Sequence, residues 1–270
     1  MTFNNWYRQQ RLLRQKQKDL KKYVKKTRKS LKSMTSIHFM GPVPKIKLNK
    51  NHDEHMAGQA SPVIKEEKLI NSKIEIFGVD NVSEQTVAHE VMHTTRSYKA
   101  YRSNMKIYKQ RFKKMFRRYG NIFVTSVILS SSIQEAAAEF YEIVYRRTLI
   151  LDKSSIKDDM NQYLLDIIND KNNSTELVNK SADEFINVLN DKYGVKEANS
   201  GDIIGNISKS LFNYDYTLNW IFGIFIAYMI LKINDNDISK TLRFLILKND
   251  LVIVELLVRH KEYMEDIRKN

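Results

Sequence analysis

Among the long stretches of this chain that contain neither glycine nor proline are residues 5–34 and Ser83 to Tyr119. Runs of that length with no breaker are a helix signal, because either residue would interrupt the hydrogen-bond ladder or raise its entropy cost. The whole chain of 270 residues holds only 3 Pro and 8 Gly, which excludes a loop-rich all-β sandwich. With apolar residues at 42% there is enough to build a packed core. There is no Cys, so disulfide scaffolds, thiolate metal sites and cysteine nucleophiles are excluded together.

Periodicity fills in the remaining elements. In the first helix Leu13, Leu20, Val24 and Leu31 make a thin apolar stripe on a basic rod, which Gly41-Pro42-Val43-Pro44 brings to an end. Lys45 to Leu48 and Lys73 to Ile76 alternate with period two and read as half-buried strands, separated by a polar loop from Asn51 to Pro62. Ser83 is placed to cap the next helix, and Tyr98, Tyr101, Met105, Tyr108, Phe112, Met115 and Tyr119 would share one of its faces. A further helix is expected over about 122–147. Others are expected around Ile156 to Ile168, Val178 to Leu189, Trp220 to Leu231, Ile238 to Leu247 and Leu251 to Arg259. The expected fold class is α+β and predominantly helical. The expected segments are a basic N-terminal helix (1–36), a catalytic-type core (37–150) and a C-terminal helical part (151–270).

Charge is concentrated. The net charge is +14, yet residues 1–33 carry 12 Lys/Arg against the single acid Asp19, and residues 96–118 carry ten with no acid. The rest of the chain is therefore mildly acidic. Such basic runs are expected to meet nucleic acid or another polyanion, to pack on the acidic body, or, for the N-terminus, to lie on an anionic membrane. No apolar region follows the basic N-terminus as a secretory signal would require, and Trp220 to Leu231 is too short to span a bilayer. A soluble, cytoplasmic protein without a transmembrane segment is expected.

The chemistry centres on His89-Glu90-Val91-Met92-His93. Positions i and i+4 share a helix face, so both imidazoles can reach one metal ion. Glu90 is offset by about 100° and can reach a metal-bound water without ligating. Zn2+ suits imidazole nitrogen and carboxylate oxygen. A third ligand is needed, and no His follows His93 until His260. The nearest downstream acids are Glu135, Glu139 and Glu142, set among Ala136, Ala137 and Ala138. Small residues there permit a close helix crossing, and any of the three acids can be the ligand. His52-Asp53-Glu54-His55 also combines ligand-type residues but reads as a solvated loop.

A helix bearing H-E-x-x-H followed by a second helix with a Glu pair resembles the gluzincin clan of zinc metallopeptidases, which includes the thermolysin-like enzymes. The resemblance spans roughly residues 57–145. It implies a zincin-like core, with His89, His93 and Glu135 as zinc ligands and Glu90 as general base. It also implies that Glu139 orients the first histidine, and that the strand Ile74 to Phe77 is an edge strand holding an extended peptide. Tyr141, Tyr145 and His260 are the candidates to polarise the substrate carbonyl. The implied activity is zinc-dependent hydrolysis of a protein or peptide substrate. The alternative is a nucleic-acid-associated protein with a structural zinc site, or a protease recruited to DNA.

Overall fold

A computed structural model describes residues 3–38, 40–50, 57–65, 68–100, 126, 129–150, 153–169 and 216–260. Among these residues the chain is α+β and mostly helical, with seven helices and one three-stranded sheet. The element order is α1 (Phe3–Thr35), β1 (Lys45–Asn49), β2 (Gly58–Lys65), β3 (Lys68–Phe77), α2 (Glu84–Ala100), α3 (Ser130–Thr148), α4 (Lys153–Asn169), α5 (Tyr216–Ile233), α6 (Ile238–Leu247) and α7 (Asp250–Arg259). Three expected features lie outside the described residues: the aromatic face beyond Tyr98, the helix at Val178 to Leu189, and the loop His52 to His55.

The sheet order is β1-β3-β2. β1 runs parallel to β3, pairing Ile46 with Ile74, and β2 runs antiparallel to it, pairing Gly58 with Ile76. Two sequence expectations change here. The strand Ile74 to Phe77 belongs to the central strand, and β2 is the edge. The segment expected to be polar loop up to Pro62 is a strand from Gly58 onward. Its small polar residues hide the period-two pattern, and an edge strand tolerates Pro62 because one row of its backbone groups needs no partner in the sheet.

One face of the sheet is covered by helices. Ile74 and Ile76 are fully buried and pack with Leu48, Val82, Val87, Val91 and the α1 residues Leu20 and Val24. The opposite face carries the Lys73–Glu75 ion pair at 2.8 Å. Ser83 caps α2, its Oγ accepting the Thr86 backbone N–H at 3.0 Å. At the same end Glu84 binds Lys26 of α1 at 2.7 Å and accepts from the Tyr145 hydroxyl of α3 at 2.8 Å, tying three helices together.

The larger core lies on the other side of α2. Ala88 and Met92 meet residues of α3, α4, α5, α6 and α7, together with Leu31, Ile37 and Met40 from the end of α1 and the segment after it. α5 is buried on every side from Ile221 to Leu231, as expected of a central helix that is apolar all round. Among the described residues no helix is long and apolar enough to cross a membrane. α5 approaches α3 so closely that a Cβ on Gly223 would sit 2.9 Å from the Ala136 backbone nitrogen and 3.0 Å from the Glu135 Cβ.

Arg96 departs most from its sequence reading. It opens the basic run 96–118, yet its side chain is fully buried. It binds Asp250 at 2.5 Å and donates to the carbonyls of Leu245 and Lys248, bolting α2 to the α6–α7 turn. Asp250 also accepts from Ser130 at the start of α3. Most of the run beyond it, residues 101–118, lies outside the described residues.

Candidate metal centre

Two helices build the site. α2 presents His89 and His93 one turn apart, and α3 crosses it presenting Glu135, Glu139 and Glu142. By helix geometry these three acids fall within about 60° of one another around α3. His89 Nε2 lies 3.0 Å from His93 Nε2 and 3.4 Å from Glu135 Oε2, and His93 Nε2 lies 3.5 Å from Glu135 Oε1. A four-coordinate ion with bonds of about 2.0–2.1 Å needs ligand atoms about 3.3 Å apart. Each imidazole nitrogen stands at close to that spacing from one Glu135 oxygen, one ligand atom from each of the three residues lies within 4.8 Å of the others, and this group can hold a metal ion.

His89 uses its other nitrogen as well. Nδ1 lies 3.2 Å from Glu139 Oε1 and 3.2 Å from Glu142 Oε2. An Nδ1–H donating to either carboxylate leaves the Nε2 lone pair free for a metal, the arrangement that fixes a ligand's tautomer and orientation. The gluzincin resemblance implies this role for Glu139 alone, with Glu142 an alternative ligand. The structure brings both to the same nitrogen.

Glu90 is buried and lines the same cleft, and its Oε2 has no hydrogen-bond partner. In the metal-free chain burial pushes its carboxyl up to about 7. The charge on His89 opposes this, and the carboxylates of Glu135, Glu142 and Glu139 add to it. Burial works against charge on His89 too, but hydrogen bonds to Glu135, Glu139 and Glu142 outweigh it and hold that imidazole well above its ordinary value. His93 goes the other way, lowered to about 4 by burial and by the charge on His89. A cation bound between the two imidazoles would displace any proton from the ligating nitrogens.

The cleft has a volume of about 700 Å3 and lies between the α2–α3 crossing and residues Ala57 to Ala60 of the β2 edge. Gly58 sets how closely that edge approaches: a Cβ there would fall 2.9 Å from Glu90 Oε1 and 3.0 Å from Ile76 Cδ1. Sequence reasoning missed Gly58 and Gly223, since an isolated glycine signals only that some close approach occurs, not to what.

The three expected carbonyl-polarising residues stand elsewhere. Tyr141 is buried and donates to the Thr27 carbonyl of α1 at 2.5 Å, and Tyr145 donates to Glu84. Burial raises both hydroxyls well above their ordinary range. They sit roughly 60–160° around α3 from the three acids, so Tyr141 turns toward α1 and Tyr145 toward the end of α2 that meets α1. His260 ends α7, its backbone N–H bonded to the Leu257 carbonyl, and does not line the cleft. Among the described residues the cleft wall contains Gln59, Thr86, Ser97, Ser130 and Gln134 as neutral polar groups, and no Tyr, Lys or Arg.

In comparisons with known proteins, no family model, no curated protein sequence and no solved structure matches this chain.

Proposed function

We propose that this chain is a zinc-dependent endopeptidase. The observation that carries the reading is the convergence of His89, His93 and Glu135 at ligand spacing, with the unpartnered buried carboxylate of Glu90 in the same cleft. The donor set, two imidazoles and one carboxylate, fits zinc at a site that keeps one position for water. Zinc bound there would supply Lewis acidity, making a water nucleophilic near neutral pH and polarising the scissile carbonyl.

The protein's own groups supply the rest. His89, His93 and Glu135 hold the ion, and Glu139 and Glu142 keep the His89 Nε2 lone pair directed at it. Glu90 accepts the proton of the attacking water and delivers it to the leaving amine. Its low-dielectric surroundings favour that shuttle, because the carboxyl tolerates both protonation states. The free edge of β2 at Ala57 to Ala60 supports a peptide rather than a compact substrate. An extended chain can pair with that edge as an added strand and lie across the cleft.

Metal analysis of the purified protein should find one zinc per chain, and a chelator should abolish hydrolysis of an unfolded protein substrate. Glu90→Gln should keep the zinc and lose about 10²- to 10⁴-fold in kcat. A Glu90→Gln protein that binds zinc and retains full activity refutes the mechanism.

A further inference from the structure

The outer face of α1 has no role in the site just described, and its charge needs an explanation. The inner face is committed to the fold: Leu20, Val24, Thr27, Leu31 and Thr35 are buried against β1, α2 and α6. At about 100° per residue, eight exposed Lys and Arg side chains between Arg11 and Lys32 fall on the opposite side, within an arc of about 100°. The stripe runs straight for about 30 Å at 1.5 Å per residue. Two neighbouring cations are used internally, Lys26 by Glu84 and Arg28 by the carbonyls of Gly41 and Pro42. None of the eight on the arc stands within 4.0 Å of an acid among the described residues, and of the eight Lys22 alone adds to the positive field at Glu84. Holding so many like charges in line on a rigid rod costs stability through self-repulsion, and a polyanion of matching linear charge relieves it.

We propose that this face of α1 binds the phosphate backbone of double-stranded nucleic acid. A duplex presents a phosphate charge about every 1.7 Å of axis, so a 30 Å stripe spans about nine base pairs. Two features separate a duplex from other polyanions. Single-strand binders stack successive bases on several exposed aromatics, whereas between Arg11 and Lys32 the only aromatic is Tyr23, which packs against the sheet core, and Tyr7 is a lone exposed aromatic one turn before the stripe begins. Membrane-surface helices insert an apolar face, and the apolar face of α1 is already inside the protein. Between Arg11 and Lys32 the exposed large apolar side chain among the described residues is Leu12, about 80° round the helix from the edge of the stripe. With backbone contacts only, binding is independent of base sequence and steeply dependent on salt.

The test is fluorescence anisotropy of the full chain with a labelled mixed-sequence DNA duplex of about 20 base pairs, from about 50 to 200 mM salt. A single strand of the same length and vesicles containing phosphatidylserine serve as competitors. The expected result is duplex binding whose log–log salt slope is about −5 to −7, from six to eight phosphate contacts. Lys18→Gln, Lys22→Gln, Lys25→Gln and Lys29→Gln combined should make that slope shallower by about 3 to 4, with melting temperature and zinc content unchanged. An unchanged slope in this variant overturns the proposal. So does absence of duplex binding at the lowest salt, or competition by single strands or vesicles at least as effective as unlabelled duplex.

Discussion

Gly223→Ala sets two well-characterised effects against each other at a position far from solvent. In an isolated helix the change is favourable, since Ala is better than Gly by about 1 kcal/mol. Here the new methyl would lie 2.9 Å from the Ala136 backbone nitrogen, 3.0 Å from the Glu135 Cβ and 3.2 Å from the Glu135 carbonyl carbon. Ordinary carbon contacts sit at about 3.5–4.0 Å, so α5 and α3 must part by about half an ångström. The obstructing atoms are mostly backbone, which a rotamer change cannot move. Overpacking of this kind costs about 1–3 kcal/mol, leaving a net destabilisation of about 0–2 kcal/mol after the helix gain. At about 2–4 °C per kcal/mol the melting temperature should fall by up to about 8 °C. The more diagnostic effect is on the metal. Pushing on Glu135 displaces it from its 3.4 and 3.5 Å separations from the two imidazoles, so zinc affinity should fall about 10-fold or more, within the range seen when supporting groups around a metal are disturbed. Competition with a chromophoric chelator measures the affinity, and calorimetry the stability. A variant that binds zinc as tightly as wild type and gains the full helix-propensity increment would refute the argument that this contact positions Glu135.

Because Glu139 and Glu142 both reach His89 Nδ1, Glu139→Gln and Glu142→Gln should each change zinc affinity little, while the double variant should lose about 10- to 100-fold, measured by the same chelator competition. Arg96→Met leaves the buried Asp250 without its cation, with the Ser130 hydroxyl still donating to it, and should cost about 3–5 kcal/mol in denaturant unfolding; Arg96→Met/Asp250→Leu should recover part of that loss, since removing both charges removes the desolvation penalty. Glu84 is held below its ordinary value of 4.5: burial opposes the charge, but Lys26 and the Tyr145 hydroxyl outweigh it. A carboxyl depressed in the folded state stabilises above its unfolded value, and that contribution fades as pH falls through the lowered one. The melting-temperature gap between wild type and Glu84→Gln should therefore be full near neutral pH and close below about pH 4.5; a gap that widens on acidification contradicts the assignment.

Local pattern alone determined much of this protein. Breaker-free runs located α1 and α2, the spacing of apolar residues located α4 to α7, and Ser83 marked the start of α2 through a cap that depends only on neighbouring residues. The i, i+4 rule put His89 and His93 on one face, and likewise Glu135 and Glu139, because a helix fixes those offsets without help from the rest of the chain. Tertiary structure decided everything that depends on which faces meet. It placed β2 at the edge and β3 in the middle, since small polar residues in an edge strand carry no periodic signal. It turned Tyr141 toward α1 and Tyr145 toward the end of α2 that meets α1, although they share a helix with the acids. It drew Arg96 out of a basic run into the core, where Asp250, far along the chain, receives it. It brought Glu142 alongside Glu139 at one imidazole nitrogen, and gave Gly58 and Gly223 their purpose as points of close approach. Helix periodicity is a property of neighbours in sequence, whereas a crossing angle and an inter-helix gap are set by side chains that meet only after the chain has folded.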